Sequence, residues 1–317
     1  MMSNAIILAL APAFFVMILG YGAGKLRIVD NNQVIGLNAL VMDFALPASL
    51  FAATASAPRS EMFAQAPLFA ILGLVMLLVY VGWVFLLHVA SNESKADASV
   101  QALTIAFPNF AGVGLPIASA VLGPTGTVPV AVAIAAGSIL ISPLALVAAE
   151  MSSTEASGAA VTKTKRMIGA LRRALTKPVV LAPALGILLS LSGLRLGAVV
   201  DACLLLLGQS AAGVALFLTG LILSAQTFRP DWKIMAATGI SNVVRPLLTA
   251  AVVFLAPVSE EIAKMAILLA AMPSGFFGIL FAVNYRLDSA AAGSMVIATT
   301  GLSVVTMAIA IFVLFPH

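Results

Sequence analysis

The sequence predicts an all-α integral membrane protein with ten transmembrane helices, forming two inverted five-helix repeats with discontinuous helices 4 and 9. Three observations lead there. The apolar residues fall in runs of about 20, enough to cross roughly 30 Å of hydrocarbon as helix, rather than in alternating ten-residue strands. Of 317 residues, 62% are hydrophobic and 9% charged, where a soluble domain carries about 25% charged residues; a mean hydropathy of +1.14 cannot be hidden in a soluble core. The fourth and ninth runs are each interrupted at mid-span, by "AFPNFAGVGLP" at 106–116 and "AMPSGFFGIL" at 271–280.

The spans read as 5–22, 33–52, 66–90, 98–122, 127–149, 178–194, 203–225, 233–256, 261–284 and 289–315. The first lacks the basic flank and clear cleavage site of a signal peptide, and is expected to stay in the membrane. The second carries Asp43 at its centre and Pro47 just beyond. In the third, His88 falls near the inner surface and Trp83, like Trp232 at the start of the eighth, suits an interfacial belt. The eighth holds Arg245 in "SNVVRPLL".

Twelve of the 16 Lys and Arg lie in loops on one side of this topology. Three (Arg59, Arg195 and Lys264) lie on the other, and Arg245 is inside a span. The positive-inside rule then puts both termini outside. It also accounts for the net charge of +4 without a nucleic-acid partner. The loop 151–177 divides a first repeat, 1–150, from a second, 178–317. Its segment "KRMIGALRRALTK" aligns Met167, Ile168, Leu171 and Leu175 on one face, which suits a helix lying on anionic membrane lipids or a binding site for a regulatory partner.

Five spans per half require the second half to insert upside down, an arrangement common in transporters. Pro108-Asn109 and Pro273-Ser274 recur at an offset of 165, as do Ser138 and Ser303. A proline in a helix frees the carbonyl four residues earlier. Pro108 thus frees Thr104, Pro116 frees Gly112 and Pro273 frees Leu269, and in lipid such groups need partners or a water-filled cavity. Two broken helices meeting at mid-membrane aim N-terminal N–H groups and positive dipole ends at one point, a site for an anion such as a carboxylate. Asn109 adds an amide donor and Ser274 a hydroxyl, while Gly112 and Gly275 allow close approach. The expected substrate site is therefore Asn109, Gly112, Ser274, Gly275 and Arg245, with helix breaks at Pro108, Pro116 and Pro273.

Charge inside hydrocarbon is functional by default. Asp43 could bind a coupling proton, hold Na⁺ with the carbonyl that Pro47 frees, or pair with a polar neighbour. Arg245 could balance an anionic substrate, pair with Asp43, or snorkel to an interface. One cysteine and two histidines, one of them His317 at the terminus, offer no metal cluster. No cofactor is expected beyond a coupling H⁺ or Na⁺.

"NFAGVGLP" resembles the fourth-span motif of the auxin efflux carrier family. "MPSGFFGILFAVNYRLDSAAAGSMVIATTGLSVVT" is similar to its closing pair of spans, and "LNALVMDFALPASLF" to its second. The resemblance runs over essentially the whole chain. It implies a bile-acid-symporter-like fold, with a scaffold of spans 1, 2, 6 and 7 beside a transport bundle of spans 3–5 and 8–10 that contains crossed discontinuous helices 4 and 9. It also implies a homodimer, a bacterial inner (plasma) membrane location and small organic acids as substrates. Two features depart from plant members: the central loop is short, and Ser274 follows Pro273 where a second asparagine is usual.

The expected function is secondary transport of a small organic anion, a mono- or dicarboxylate, by alternating access. A sodium-coupled symporter of a bulkier amphipathic acid would call for more carboxylates and hydroxyls near the crossover. A sensor would call for a soluble output domain, and a channel for conductance above carrier turnover. An enzyme is disfavoured, because no Ser/His pair or metal cluster lies at a plausible depth.

Overall fold

In the computed structural model, the described residues are 2–30, 33–91, 93–145, 147–148, 168–169, 172, 176–285, 287 and 289–316. The amphipathic segment of the central loop falls mostly outside them. Among the described residues there is no strand, and six helices are long and apolar enough to cross a membrane. Numbered in chain order, the helices longer than six residues are α1 (Met2–Lys25), α2 (Val34–Ser56), α3 (Ala66–Ala90), α4 (Lys95–Ala106), α5 (Phe110–Leu122), α6 (Thr127–Ala145), α7 (Pro178–Ser192), α8 (Ala198–Ala225), α9 (Trp232–Leu255), α10 (Glu260–Ala270), α11 (Phe277–Tyr285) and α12 (Ala290–Leu314), and a short helix, Arg59–Ala64, lies between α2 and α3. The six long apolar helices are α2, α3, α6, α8, α9 and α12. They occupy the second, third, fifth, seventh, eighth and tenth expected spans. The fourth span is split into α4 and α5, and the ninth into α10 and α11.

Lipid gives apolar side chains no reason to leave it, so helices associate where small residues let backbones touch. The α1–α8 contact follows this rule. A methyl group placed on Gly20 would sit 2.0 Å from the carbonyl oxygen of Phe217, and one on Gly220 only 1.8 Å from that of Met17. In the α2–α7 contact, a methyl on Gly186 would sit 2.0 Å from Thr54 Oγ1. Ser190 Oγ of α7 also donates to Ala57 O, at 2.6 Å, just past the end of α2. Away from these contacts, α3 packs against α4, α6, α9 and α10. Trp83 of α3 is buried inside this group rather than placed at an interface, whereas Trp232 is exposed. Hydropathy located Trp83 near a span end but could not say which way its ring faces.

Four helices contain one wide turn with i→i+5 hydrogen bonding, and each such turn is followed by a proline. The pairs are Leu40–Ala45 with Pro47, Phe110–Gly114 with Pro116, Gly137–Ile141 with Pro143, and Ile240–Val244 with Pro246. In each, the residue before the proline donates to a carbonyl five positions back: Leu46 to Val41, Leu115 to Phe110, Ser142 to Gly137 and Arg245 to Ile240. The wider turn makes room for the proline ring, so the helix continues through it. Pro116 therefore does not break its helix, contrary to the sequence expectation; the break in this span belongs to Pro108 alone.

Gly220→Val is expected to destabilise the protein by about 1–3 kcal/mol or more, as overpacking does. Gly213→Val, on the same helix but with no neighbour within 4 Å of the added carbon, should leave the protein unchanged. Thermal midpoints of the two purified variants against the unsubstituted protein check this.

Candidate functional site

The two breaks meet. α4 ends at Ala106, beyond which Phe107 is extended, and α10 ends at Ala270, beyond which Ala271 adds a last helical turn before Pro273. Pro108 lies opposite Ser274 in an antiparallel β-bridge. Asn109 N–H donates to Pro273 O at 2.9 Å, and Gly275 N–H donates to Phe107 O at 3.1 Å. Prolines lack an N–H, so the donors have to come from residues further along the chain. Because the bridge is antiparallel, Asn109 stands opposite Pro273 and Gly275 opposite Phe107. Gly275 has to be glycine here: a methyl on it would sit 2.6 Å from Phe107 O. Aromatic rings wall the junction, with Phe107 stacked on Phe277 at 4.9 Å between ring centres and Phe276 on Phe277 at 5.5 Å.

This pairing decides which donors remain. The N–H groups of Asn109 and Gly275 are spent holding the breaks together. The Asn109 side chain divides its work. Its Oδ1 accepts from Gly112 N–H at 2.9 Å and caps α5. Its Nδ2 is buried and has no hydrogen-bond partner, in a residue only 1% exposed. Gly112 and Thr219 of α8 lie beside this amide; a methyl on Gly112 would meet Asn109 Oδ1 at 2.7 Å and Thr219 Oγ1 at 3.1 Å. Ser274 is more fully engaged. Its hydroxyl shares a hydrogen bond with Ser241 Oγ at 3.0 Å, and its N–H donates to Thr299 Oγ1 at 3.3 Å.

Arg245 is completely buried, at 0% exposure. Its guanidinium donates to three backbone carbonyls: Nε to Ala270 O at 2.8 Å, Nη1 to Ile105 O and Nη2 to Met272 O. It neither snorkels nor pairs with Asp43, which is exposed on α2. The structure thus brings Pro108, Asn109, Gly112, Pro273, Ser274, Gly275 and Arg245 to one junction. Pro116 lies further along α5, and Asp43 is not among these contacts.

Four further residues at the junction were not singled out from the sequence: Thr219, Ser241, Asn242 and Thr299. Asn242 Nδ2 donates to Thr299 O at 2.8 Å. The wide turn of α9 therefore directs Ser241, Asn242 and Arg245 at the ninth break and α12. A polar pair, "SN", three residues before the arginine was the available signal.

A cavity of about 690 Å³ lies beyond Asn109 along α5. Its walls include Ser49 and Ser56 of α2, Pro116 and Ser119 of α5, Thr127 of α6, and Asp201 and Gln209 of α8. Hydroxyl and amide groups are thus spread over a mainly apolar wall, as in sites for small organic ligands.

Comparison with known proteins agrees with this architecture. Residues 5–311 match the model of a family described as "Membrane transport protein". The chain is 30% identical over 281 residues to the Escherichia coli (strain K12) protein named "Uncharacterized transporter YfdV", covering 87% of each chain. It is 26% identical over 309 residues to a Rhizobium meliloti (strain 1021) protein named "Putative malonate transporter", covering 93% of this chain and 92% of the relative. The helices long enough to cross a membrane, the full-length family match and these transporter relatives together place the chain in the membrane transport protein family, the auxin efflux carriers that its sequence resembles, as a transporter and not an enzyme.

Proposed function

We propose that this protein is a secondary carrier of a small organic anion, a mono- or dicarboxylate, which binds at the junction of the two broken spans. The observation that carries this reading is the Asn109 amide, a buried N–H₂ group without a partner beside the N-terminus of α5. An orphaned donor in the membrane interior is costly unless a ligand completes it. It adjoins a helix N-terminus, whose dipole favours negative charge. The relative named as a malonate transporter fits a dicarboxylate, though its sequence is distant.

The architecture we propose has ten spans in two inverted repeats. The broken spans are α4–α5 and α10–α11, and both termini lie outside in a bacterial inner membrane. A scaffold of α1, α2, α7 and α8 faces a transport bundle of α3–α6 and α9–α12. Two features support this. The packing is reciprocal, since α1 of the first half lies on α8 of the second while α7 of the second lies on α2 of the first. The cavity of about 690 Å³ is walled by helices of both groups, at the end that the charge bias assigns to the outside. Movement of the bundle against the scaffold would close it there and open a path on the other side.

Purified protein in liposomes, offered a panel of labelled carboxylates under separately imposed H⁺, Na⁺ and voltage gradients, tests the function. We expect at least one short carboxylate to accumulate or exchange; no uptake under any gradient would remove the reading. Asn109→Ser keeps a capping oxygen and loses the amide donor. A hydrogen bond to a charged group contributes about 1.5–3 kcal/mol, so apparent affinity for the best substrate should fall about tenfold to a hundredfold. An unchanged affinity in this variant would take Asn109 out of the site. Gly275→Ala should lower uptake at least tenfold by forcing the breaks apart, while Gly301→Ala, with open space around the added carbon, should transport normally.

A further inference from the structure

The last carbonyls of a helix have no intrahelical donor and carry the negative end of its dipole. Inside a membrane, water does not reach them unless a cavity does. At this junction two such ends converge, α4 through Ile105 O and α10 through Ala270 O, with Met272 O just past the end of α10. Three carbonyl oxygens from two chain segments, gathered around one guanidinium, are donors of the kind that a hard monovalent cation takes. Broken helices of carriers hold Na⁺ in this way, with unwound carbonyls and half-helix C-terminal ends. Here the place of such an ion is taken by the Arg245 guanidinium, wholly buried and hydrogen-bonded to these three carbonyls rather than to a carboxylate. A salt bridge would neutralise the arginine; this arrangement keeps its charge and spreads it over two helix ends.

We propose that the carbonyl cluster of Ile105, Ala270 and Met272 is a monovalent-cation site permanently filled by the protein's own Arg245, so that the junction is held together and kept positive without binding Na⁺ there. The positive charge that a coupling ion would bring and remove is fixed to α9. The junction can then return through the transport cycle without an anion, and uptake is indifferent to sodium at this locus. This rests on the proposed anion site only where uptake is measured, because the cation site is tested by melting without substrate.

The experiment compares the unsubstituted protein with Arg245→Ala and Arg245→Met in lipid nanodiscs. Thermal midpoints are read in sodium, potassium, guanidinium or choline chloride at equal millimolar ionic strength, far below denaturing concentrations. The unsubstituted protein should show the same midpoint in all four salts. Arg245→Ala should melt lower and regain a shift of ~3 °C or more in guanidinium, with a smaller saturable gain in sodium and none in choline. Arg245→Met, which fills the space without charge, should gain nothing from any of them. In liposomes Arg245→Ala should acquire sodium-dependent uptake that the unsubstituted protein lacks. A purely structural cap would lower the midpoint without creating this selective response, so an alanine variant indifferent to all four cations overturns the proposal. A saturable sodium shift in the unsubstituted protein overturns it too. Should Arg245→Ala yield no folded protein, Arg245→Lys decides, since its ammonium brings charge and three donors. A folded, sodium-indifferent lysine variant supports the proposal, and one that is also unfolded, or that binds sodium saturably, overturns it. If carboxylate uptake fails in every protein while the melting pattern appears, the anion reading falls and the cation site stands.

Discussion

Opening a helix in the membrane interior is tolerable only if each freed backbone group finds a partner, and the pairing of the two breaks meets that demand. The bridge between Pro108 and Ser274 satisfies two N–H groups and two carbonyls with groups of the same kind from the other half of the chain. Everything else at the junction depends on it. It sets which N–H groups are used up, and it requires glycine at 275. It also brings the C-terminal ends of α4 and α10 close enough for one guanidinium to reach both. Without the bridge the prolines would leave backbone groups unpaired, and with it the two breaks hold each other.

Four other prolines meet the same demand by another route. At Pro47, Pro116, Pro143 and Pro246 the helix widens by one residue instead of opening. The difference lies in the residues just after each proline. Asn109 turns its side chain back onto Gly112, and Ser274-Gly275 pairs across the junction, so the chain at these two prolines finds stable alternatives to the helix. The other four have no such alternatives nearby and keep the helix. Wide turns also redirect side chains, and that of α9 brings Ser241, Asn242 and Arg245 to bear on the ninth break, α12 and the end of α4.

Much of this was legible in the sequence because membrane helices announce themselves by length and hydropathy. The six long apolar helices lie where the apolar runs placed them, and Pro108 and Pro273 marked the two interruptions. What could not be read was pairwise. Nothing local to "FPN" says that the Asn109 N–H is committed to a carbonyl 164 positions away, and nothing in "VVRP" says that the arginine faces three carbonyls. Thr219 was overlooked for a related reason. A lone hydroxyl in a membrane helix usually bonds the carbonyl four residues back, as Thr219 does to Ala215, and so looks inert until its neighbour across the interface is known.

The reciprocal packing of α1 on α8 has a consequence for how the protein is made. Gly20 and Gly24 fit a surface around Phe217, Gly220 and Leu221 that emerges from the ribosome about 200 residues later. At ~5–20 residues per second, that is a wait of roughly 10–40 s. During that interval α1 sits in the bilayer with its glycine face against lipid, and α2 waits in the same way for α7. Assembly therefore cannot proceed one half of the chain at a time. Each half is completed by the other, and a nascent chain halted in the central loop would leave both early helices without their partners, open to membrane quality control.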